Sequence, residues 1–235
     1  MEKRILGIIP ARGGSKRIPQ KNIREFCGKP ILAYSVEAAL KTGLFEEVMV
    51  STDSEKIAGT ARQCGASVPF MRSRDASGDY ATTAEVLQEV LENYRKQGRT
   101  FDYMACIYPT APFVTARKLT EAFRVMEETG AAAVLPVVAF SYPPQRAYIV
   151  KDGRLKMKWK ENYRMRSQDL EPLYHDCGQF YIYEVNQFLE QKGQITEGIV
   201  PIFVDEMEMQ DIDHESDWRL AELKYEMMQK KQKEK

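Results

Sequence analysis

Ile5-Leu6-Gly7-Ile8-Ile9-Pro10-Ala11-Arg12-Gly13-Gly14-Ser15-Lys16-Arg17-Ile18-Pro19-Gln20-Lys21-Asn22 begins as a strand and ends as a basic loop. Its first five residues form an unbroken apolar run, the pattern of a strand covered on both faces in a parallel sheet. Between Pro10 and Pro30 the cations Arg12, Lys16, Arg17, Lys21, Arg24 and Lys29 stand against the single acid Glu25. Gly13 and Gly14 let the backbone turn sharply and aim its N–H groups into one concavity, where arginine and lysine add charge-assisted hydrogen bonds to an anion. Open α/β sheets bind ligands just beyond the strand C-termini, so the reading is a phosphate loop. It matches neither G-x-x-x-x-G-K-[ST] nor G-x-G-x-x-G. The plainer alternative is a solvated basic loop.

Outward from this loop, strand and helix alternate. Pro30 to about Thr42 has Leu32, Val36, Ala39 and Leu40 at helical spacing, and Gly43 suits its end. Glu47–Ser51 reads as a buried strand, Ser54–Gln63 as a helix and Val68–Met71 as a third short strand. Thr82 and Glu85 spell a capping box before a helical face of Leu87, Val90, Leu91 and Tyr94. Met104–Tyr108 is a further strand ending in the rigid turn Pro109-Thr110-Ala111-Pro112. Thr115 caps the next helix, Gly130 stops it, and Ala132–Val138 is again a strand. This order predicts an α/β fold with a mostly parallel, doubly wound sheet. From 140 to about 175 the pattern changes to an antiparallel hairpin excursion turning at Asp152-Gly153, either a lid or a dimerisation arm. Strands at Gln179–Tyr183 and Ile199–Val204 follow, then a last helix with Trp218, Ala221, Leu223, Tyr225 and Met228 on its apolar face and a tail, Lys230–Lys235, expected to fray. Residues 1–235 read as one domain.

Charge balances at 34 basic and 34 acidic residues, so no global field recruits nucleic acid or a membrane surface. The local positive charge suits a small anionic ligand. No apolar run approaches the roughly 18 residues of a membrane span. Met1-Glu2-Lys3-Arg4 lacks a secretory apolar region, so no export is expected. Cys27, Cys64, Cys106 and Cys177 form no C-x-x-C pair, as expected of reduced thiols in a cytoplasmic protein.

Asp211-Ile212-Asp213 is the second informative group. In an extended segment residues two apart share a face, so both carboxylates converge while Ile212 is anchored in the core. One or two carboxylates plus substrate phosphates are what Mg²⁺ usually takes. Alternatively an aspartate here caps the last helix. Arg166 is placed to bridge a ligand carboxylate or to stand on the surface, and His175 is a base or a satisfied polar residue. Thr82 and Thr83 serve as caps, with a nucleotide contact as a second use. Asp53 reaches a ribose or only finishes a turn.

Ile8–Lys16 with Pro19-x-Lys21-Asn22, then Ser51-Thr52-Asp53, Pro109-Thr110-Ala111-Pro112 and Asp211-Ile212-Asp213, resemble the acylneuraminate cytidylyltransferases over nearly the whole chain. Arg166–Tyr181 and Gln210–Asp213 look most like the branch acting on pseudaminic acid, a nine-carbon sialic-acid-like sugar. The resemblance implies a Rossmann-like nucleotidyltransferase of the nucleotide-diphospho-sugar transferase type, usually a homodimer whose hairpin crosses to the partner. It implies CTP and a nine-carbon sugar acid as substrates and Mg²⁺ as cofactor. By position, Arg12 and Lys21 hold the triphosphate, helped by Ala11, Gly13, Gly14, Ser15, Lys16 and Asn22 of the loop and by Thr82 and Thr83. Asp211 and Asp213 bind the metal, Asp213 with Arg12 and Lys21 forming the catalytic set. Tyr108, Thr110, Arg166, His175 and Gln179 fall beside the sugar. Tyr108 and His175-Asp176-Cys177-Gly178 depart from the sialic acid enzymes, which turns the expectation away from N-acetylneuraminate. The same reaction on N-acetylneuraminic, legionaminic or 3-deoxy-octulosonic acid, or a non-catalytic nucleotide-binding protein, are the alternatives.

Overall fold

The structure is a computed structural model describing residues 3–233. Among these residues eleven strands and six helices follow one another: β1 (Ile5–Pro10), β2 (Glu25–Phe26), β3 (Lys29–Pro30), α1 (Ile31–Leu40), β4 (Glu47–Ser51), α2 (Glu55–Gln63), α3 (Thr83–Lys96), β5 (Tyr103–Ile107), α4 (Ala116–Thr129), β6 (Ala133–Ala139), β7 (Tyr148–Lys151), β8 (Arg154–Met157), β9 (Tyr174–Asp176), β10 (Phe180–Glu184), α5 (Val185–Glu190), β11 (Ile199–Phe203) and α6 (Glu215–Lys233). The main sheet runs β11-β6-β10-β5-β1-β4, with β9 paired to the end of β6. β1 lies between β4 and β5, parallel to both, and Ile5 to Ile9 are buried. A strand enclosed by two neighbours and two layers of helices has no water-facing side, which is why its sequence shows no alternation.

β10 is antiparallel to both β5 and β6, and β9 is antiparallel to β6, in a sheet whose other pairings are parallel. The odd and even residues of β10 serve different layers. Phe180 and Ile182 join the core beneath α1, α2 and α4. Tyr181 and Tyr183 pack on the opposite face, where α3 and α5 supply Leu87, Val90, Leu91, Tyr94 and Phe188. A third cluster joins Ile18, Phe26, Ile31 and Tyr34 to Phe113, Ile212, Trp218 and Ala221.

The predicted strand at Val68–Met71 does not form. Only Ser67 bridges to Met49 at the edge of β4, and Pro69, which has no N–H, ends the pairing. The hairpin at Asp152-Gly153 is present, with both turn residues at positive φ (55° and 70°), and it forms its own two-stranded sheet, β7–β8, apart from the main one. The caps at Thr82, with its reciprocal Glu85 bond, and at Thr115 are formed as read, and Gly130 closes α4 in the left-handed conformation. Helix α6 continues through Lys233 instead of fraying at Lys230; Glu234 and Lys235, like Met1 and Glu2, lie outside the described residues. All four cysteines are free thiols, and no described helix is long and apolar enough to cross a membrane.

Candidate active site

A cavity of about 670 Å³ opens beyond the C-terminal ends of β1 and β5. Arg12, Lys16, Arg17, Lys21 and Arg72 bring five cations to its walls, against the carboxylates of Asp79 and Asp213. Ser15, Asn22, Thr83, Tyr108 and Thr110 also line it. The basic loop near the start of the chain and Asp213 near its end thus face one space, although about 200 residues separate them.

The loop is held by side chains as much as by its glycines. Buried Asn22 donates through Nδ2 to the Arg12 carbonyl at 2.9 Å. Asp53, at the end of β4, accepts from the Gly13 amide at 2.7 Å, so it finishes and fixes the turn. The Ser15 amide donates to the Gly13 carbonyl at 3.0 Å. Two of the three amides expected to cradle phosphate are therefore engaged within the protein, which leaves the side-chain cations to supply the positive field. A Cβ on Gly13 would stand 3.1 Å from the Cβ of Ser54, the N-cap of α2. Glycine is needed there because the loop presses against the start of α2. Gly14 has no such neighbour, and Ala11 is buried behind the loop.

Two cations of the loop hold one acid. Arg12 Nη1 and Lys16 Nζ reach the two oxygens of Asp79 at 3.2 and 2.5 Å, which draws the Asp79 carboxyl below the usual range, chiefly through Lys16. Arg72 is buried beneath them, donating to Ser51 Oγ at 3.0 Å and the Ser51 carbonyl at 2.7 Å. Burial lowers its pKa. A guanidinium fixed at the end of β4 and turned to the cavity presents its remaining donors to a ligand. Arg72 and Asp79 lie in the polar stretch Arg72–Tyr80, which has no periodicity from which a site could be read.

At the far end of the chain Ile212 is buried in the third cluster, as its place between two aspartates implied. Asp213 lines the cavity, 2.7 Å from Arg17 and 3.7 Å from Lys21 Nζ, while Lys21 also donates to the Ile212 carbonyl at 2.6 Å. Asp211 is exposed and lies outside the cavity lining, so only one of the two carboxylates faces the space. Asp217, in the first turn of α6, reaches back to accept from the amides of Asp213 and His214.

Tyr108, just past β5, forms part of the cavity wall. Its hydroxyl stands 3.3 Å from Thr83 Oγ1, and its ring meets that of Tyr181 edge-on at 5.5 Å. Burial raises the pKa of both tyrosines. Tyr181 donates to Asp176 at 2.6 Å, so a line of polar groups runs from the cavity wall to the turn before β10. Thr82 is given over to its cap. His175 packs on Phe140, Arg166 pairs with Asp169 on the surface, and Gln179 is buried beneath the turn at Glu206–Glu208; none of these three lines the cavity.

The donor set suits Mg²⁺ in a particular way. Among the described residues no three acidic, histidine or cysteine side chains gather into a cage. With Asp79 engaged by Arg12 and Lys16, Asp213 is the carboxylate that could take the ion, and a nucleotide and water would supply the remaining ligands.

The family model "Cytidylyltransferase" matches residues 6–230. A pseudaminic acid cytidylyltransferase of Campylobacter jejuni is 41% identical over 187 residues, 79% of this chain and 81% of that protein. A CMP-N,N'-diacetyllegionaminic acid synthase of Legionella pneumophila is 35% identical over 233 residues, 96% of this chain and 98% of its own length. The solved structure of CMP:2-keto-3-deoxy-manno-octonic acid synthetase complexed with CTP covers 97% of the chain with a TM-score of 0.68 at 20% identity, a likeness of fold.

Proposed function

The chain belongs to the cytidylyltransferase family, and from that premise we propose that it joins the CMP of CTP to a nine-carbon sugar acid of the pseudaminic type. It is a CTP-dependent nucleotidyltransferase. The observation that carries the reading is the convergence of Arg12, Lys21 and Asp213 on one cavity. In the reaction the anomeric hydroxyl of the sugar attacks the α-phosphorus in line. A new P–O bond forms while the bond to the β-phosphate's bridging oxygen breaks, and pyrophosphate leaves.

Each residue has a part in this. Arg12 and Lys16 exchange Asp79 for the phosphate oxygens, Arg12 through a fork of two N–H groups. Lys21, tied to the Ile212 carbonyl, is held beside the α-phosphate. Asp213 would hold Mg²⁺ together with phosphate oxygens, and Asp211 would act from outside through water. When bound, the ion neutralises charge developing on the phosphate being transferred. Arg72 and Thr83 face the nucleotide, and Tyr108 and Thr110 face the sugar. A homodimer in which the 140–175 arm crosses to its partner's cavity accounts for an arginine, Arg166, that stands outside the cavity of its own chain. The exposed apolar residues of the arm, Tyr148, Val150, Leu155 and Tyr163, support such a contact.

The test is a substrate panel. Purified protein with CTP and Mg²⁺ is offered pseudaminic, legionaminic, N-acetylneuraminic and 3-deoxy-octulosonic acids while pyrophosphate is followed. The highest kcat/KM is expected with pseudaminic acid; turnover of N-acetylneuraminic acid without pseudaminic acid would overturn the substrate assignment. CTP binding with no pyrophosphate from any acid would leave a nucleotide-binding protein.

A further inference from the structure

Lys118 is out of place by every local rule. It stands in the first turn of α4, where the helix dipole disfavours a cation, and only 6% of its surface is exposed. Burial lowers its pKa. Its ammonium donates to the Phe113 carbonyl at 3.2 Å and to the Glu208 carbonyl at 3.4 Å, and pairs with the Glu208 carboxylate at 2.8 Å. Gln179 Nε2, from the start of β10, donates to the same Glu208 carbonyl at 2.8 Å, while its buried Oε1 has no partner.

The segment these two side chains hold is irregular and leads directly to Asp213. Backbone carbonyls outside a sheet still require donors. Lys224 from α6 donates to the Glu206 and Met209 carbonyls at 3.0 and 2.9 Å, and Lys21 to that of Ile212. Three lysines and a glutamine thus grip residues 206–212 carbonyl by carbonyl. Neither Lys118 nor Gln179 lines the cavity.

We propose that Lys118, seconded by Gln179, is a positioning residue that fixes the height of the 206–213 segment and so sets where the Asp213 carboxylate meets a divalent cation. The proposal rests on the assignment of Asp213 to the metal. Residues behind a metal ligand hold it in register, and losing one weakens metal affinity by about 10- to 100-fold.

Mn²⁺ serves as the probe, its binding to the full chain measured by EPR at saturating CTP. Lys118→Met is expected to weaken it about 10- to 100-fold, to leave the KM for CTP at saturating metal unchanged, and to recover kcat as Mg²⁺ is raised. A merely structural role would lower Tm and leave the metal dependence alone. A folded Lys118→Met protein with wild-type Mn²⁺ affinity overturns the proposal. Should that variant not fold, Gln179→Met removes the second donor to the same carbonyl, and a folded protein with unchanged affinity overturns it equally. Asp213→Asn separates the two layers: if it too binds Mn²⁺ as the wild type does, the metal assignment itself is wrong, whereas loss in Asp213→Asn alone refutes only the role of Lys118.

Discussion

Asp213 carries the most exacting demand at the scale of single residues, because it alone of the acidic pair faces the cavity. Asp213→Asn keeps the shape and removes the charge. It is expected to lower kcat by about 10²–10³-fold, the usual consequence of losing one preorganised electrostatic partner, while circular dichroism stays unchanged. Near-normal turnover at limiting Mg²⁺ would contradict the assignment. Asp53 acts on the loop's shape, through the Gly13 amide. Asp53→Ala leaves that amide without its acceptor, and the KM for CTP is expected to rise by about tenfold, matching a lost hydrogen bond to a charged group. The cations of the loop are legible in the chain itself, since six of them crowd a short stretch between two prolines. Arg72 is not, because its meaning depends on Ser51, a residue at the end of β4. Gln179 misleads for the same reason: proximity in sequence to the sugar-side motif says nothing about which way a buried amide points.

At the scale of elements, β10 decides how the Tyr108 side of the cavity is backed. Alternation along Phe180–Glu184 sends Tyr181 towards Tyr108 and Asp176. Tyr181→Phe removes only the hydroxyl. The expected outcome is a KM for the sugar acid raised about fivefold, on the order of one hydrogen bond, with the KM for CTP unchanged; equal effects on both substrates would show that the tyrosine line does not serve the sugar. Helix boundaries are legible because their signals are local: Thr82 with Glu85, Thr115, and Gly130 are each decided within a turn of chain. Strand direction is not. An apolar run carries no mark of being parallel or antiparallel, so the reversal of β10 inside the sheet shows only in its pairing with β5 and β6. The missing strand at 68–71 fails at Pro69, whose lack of a donor outweighs its apolar neighbours.

At the scale of the whole molecule, α6 ties the two ends of the chain together. Trp218 is buried against Phe26, whose strand follows the basic loop, and Ile212 joins the same cluster. Trp218→Ala is expected to destabilise the protein by about 3–5 kcal/mol, read by urea unfolding, and to lower metal affinity with it, since Asp213 shortly precedes α6. The opposite end of the sheet is clamped by charge. Glu46 bonds Arg4 and Arg99, and chiefly the Arg4 bond lowers its pKa from 4.5 to about 2. A carboxylate whose folded pKa is depressed stabilises the fold fully above pH 4.5 and loses that contribution as pH falls towards 2. Glu46→Gln should therefore flatten the acid limb of the Tm–pH curve in that window; an unchanged limb would show that exposed solvent has already screened the cluster.

The ion pairs of Asp79 with Arg12 and Lys16 have a kinetic and thermodynamic consequence. Before any nucleotide arrives, the protein supplies its own counter-ion, tethered to the loop that roofs the basin. Docking is then a displacement, in which added salt competes both with the incoming phosphates and with the resident aspartate. The affinity for CTP should accordingly fall less steeply with ionic strength than in an Asp79→Asn variant, and hydrogen exchange at residues 78–81 should report, amide by amide, the moment the tether is released.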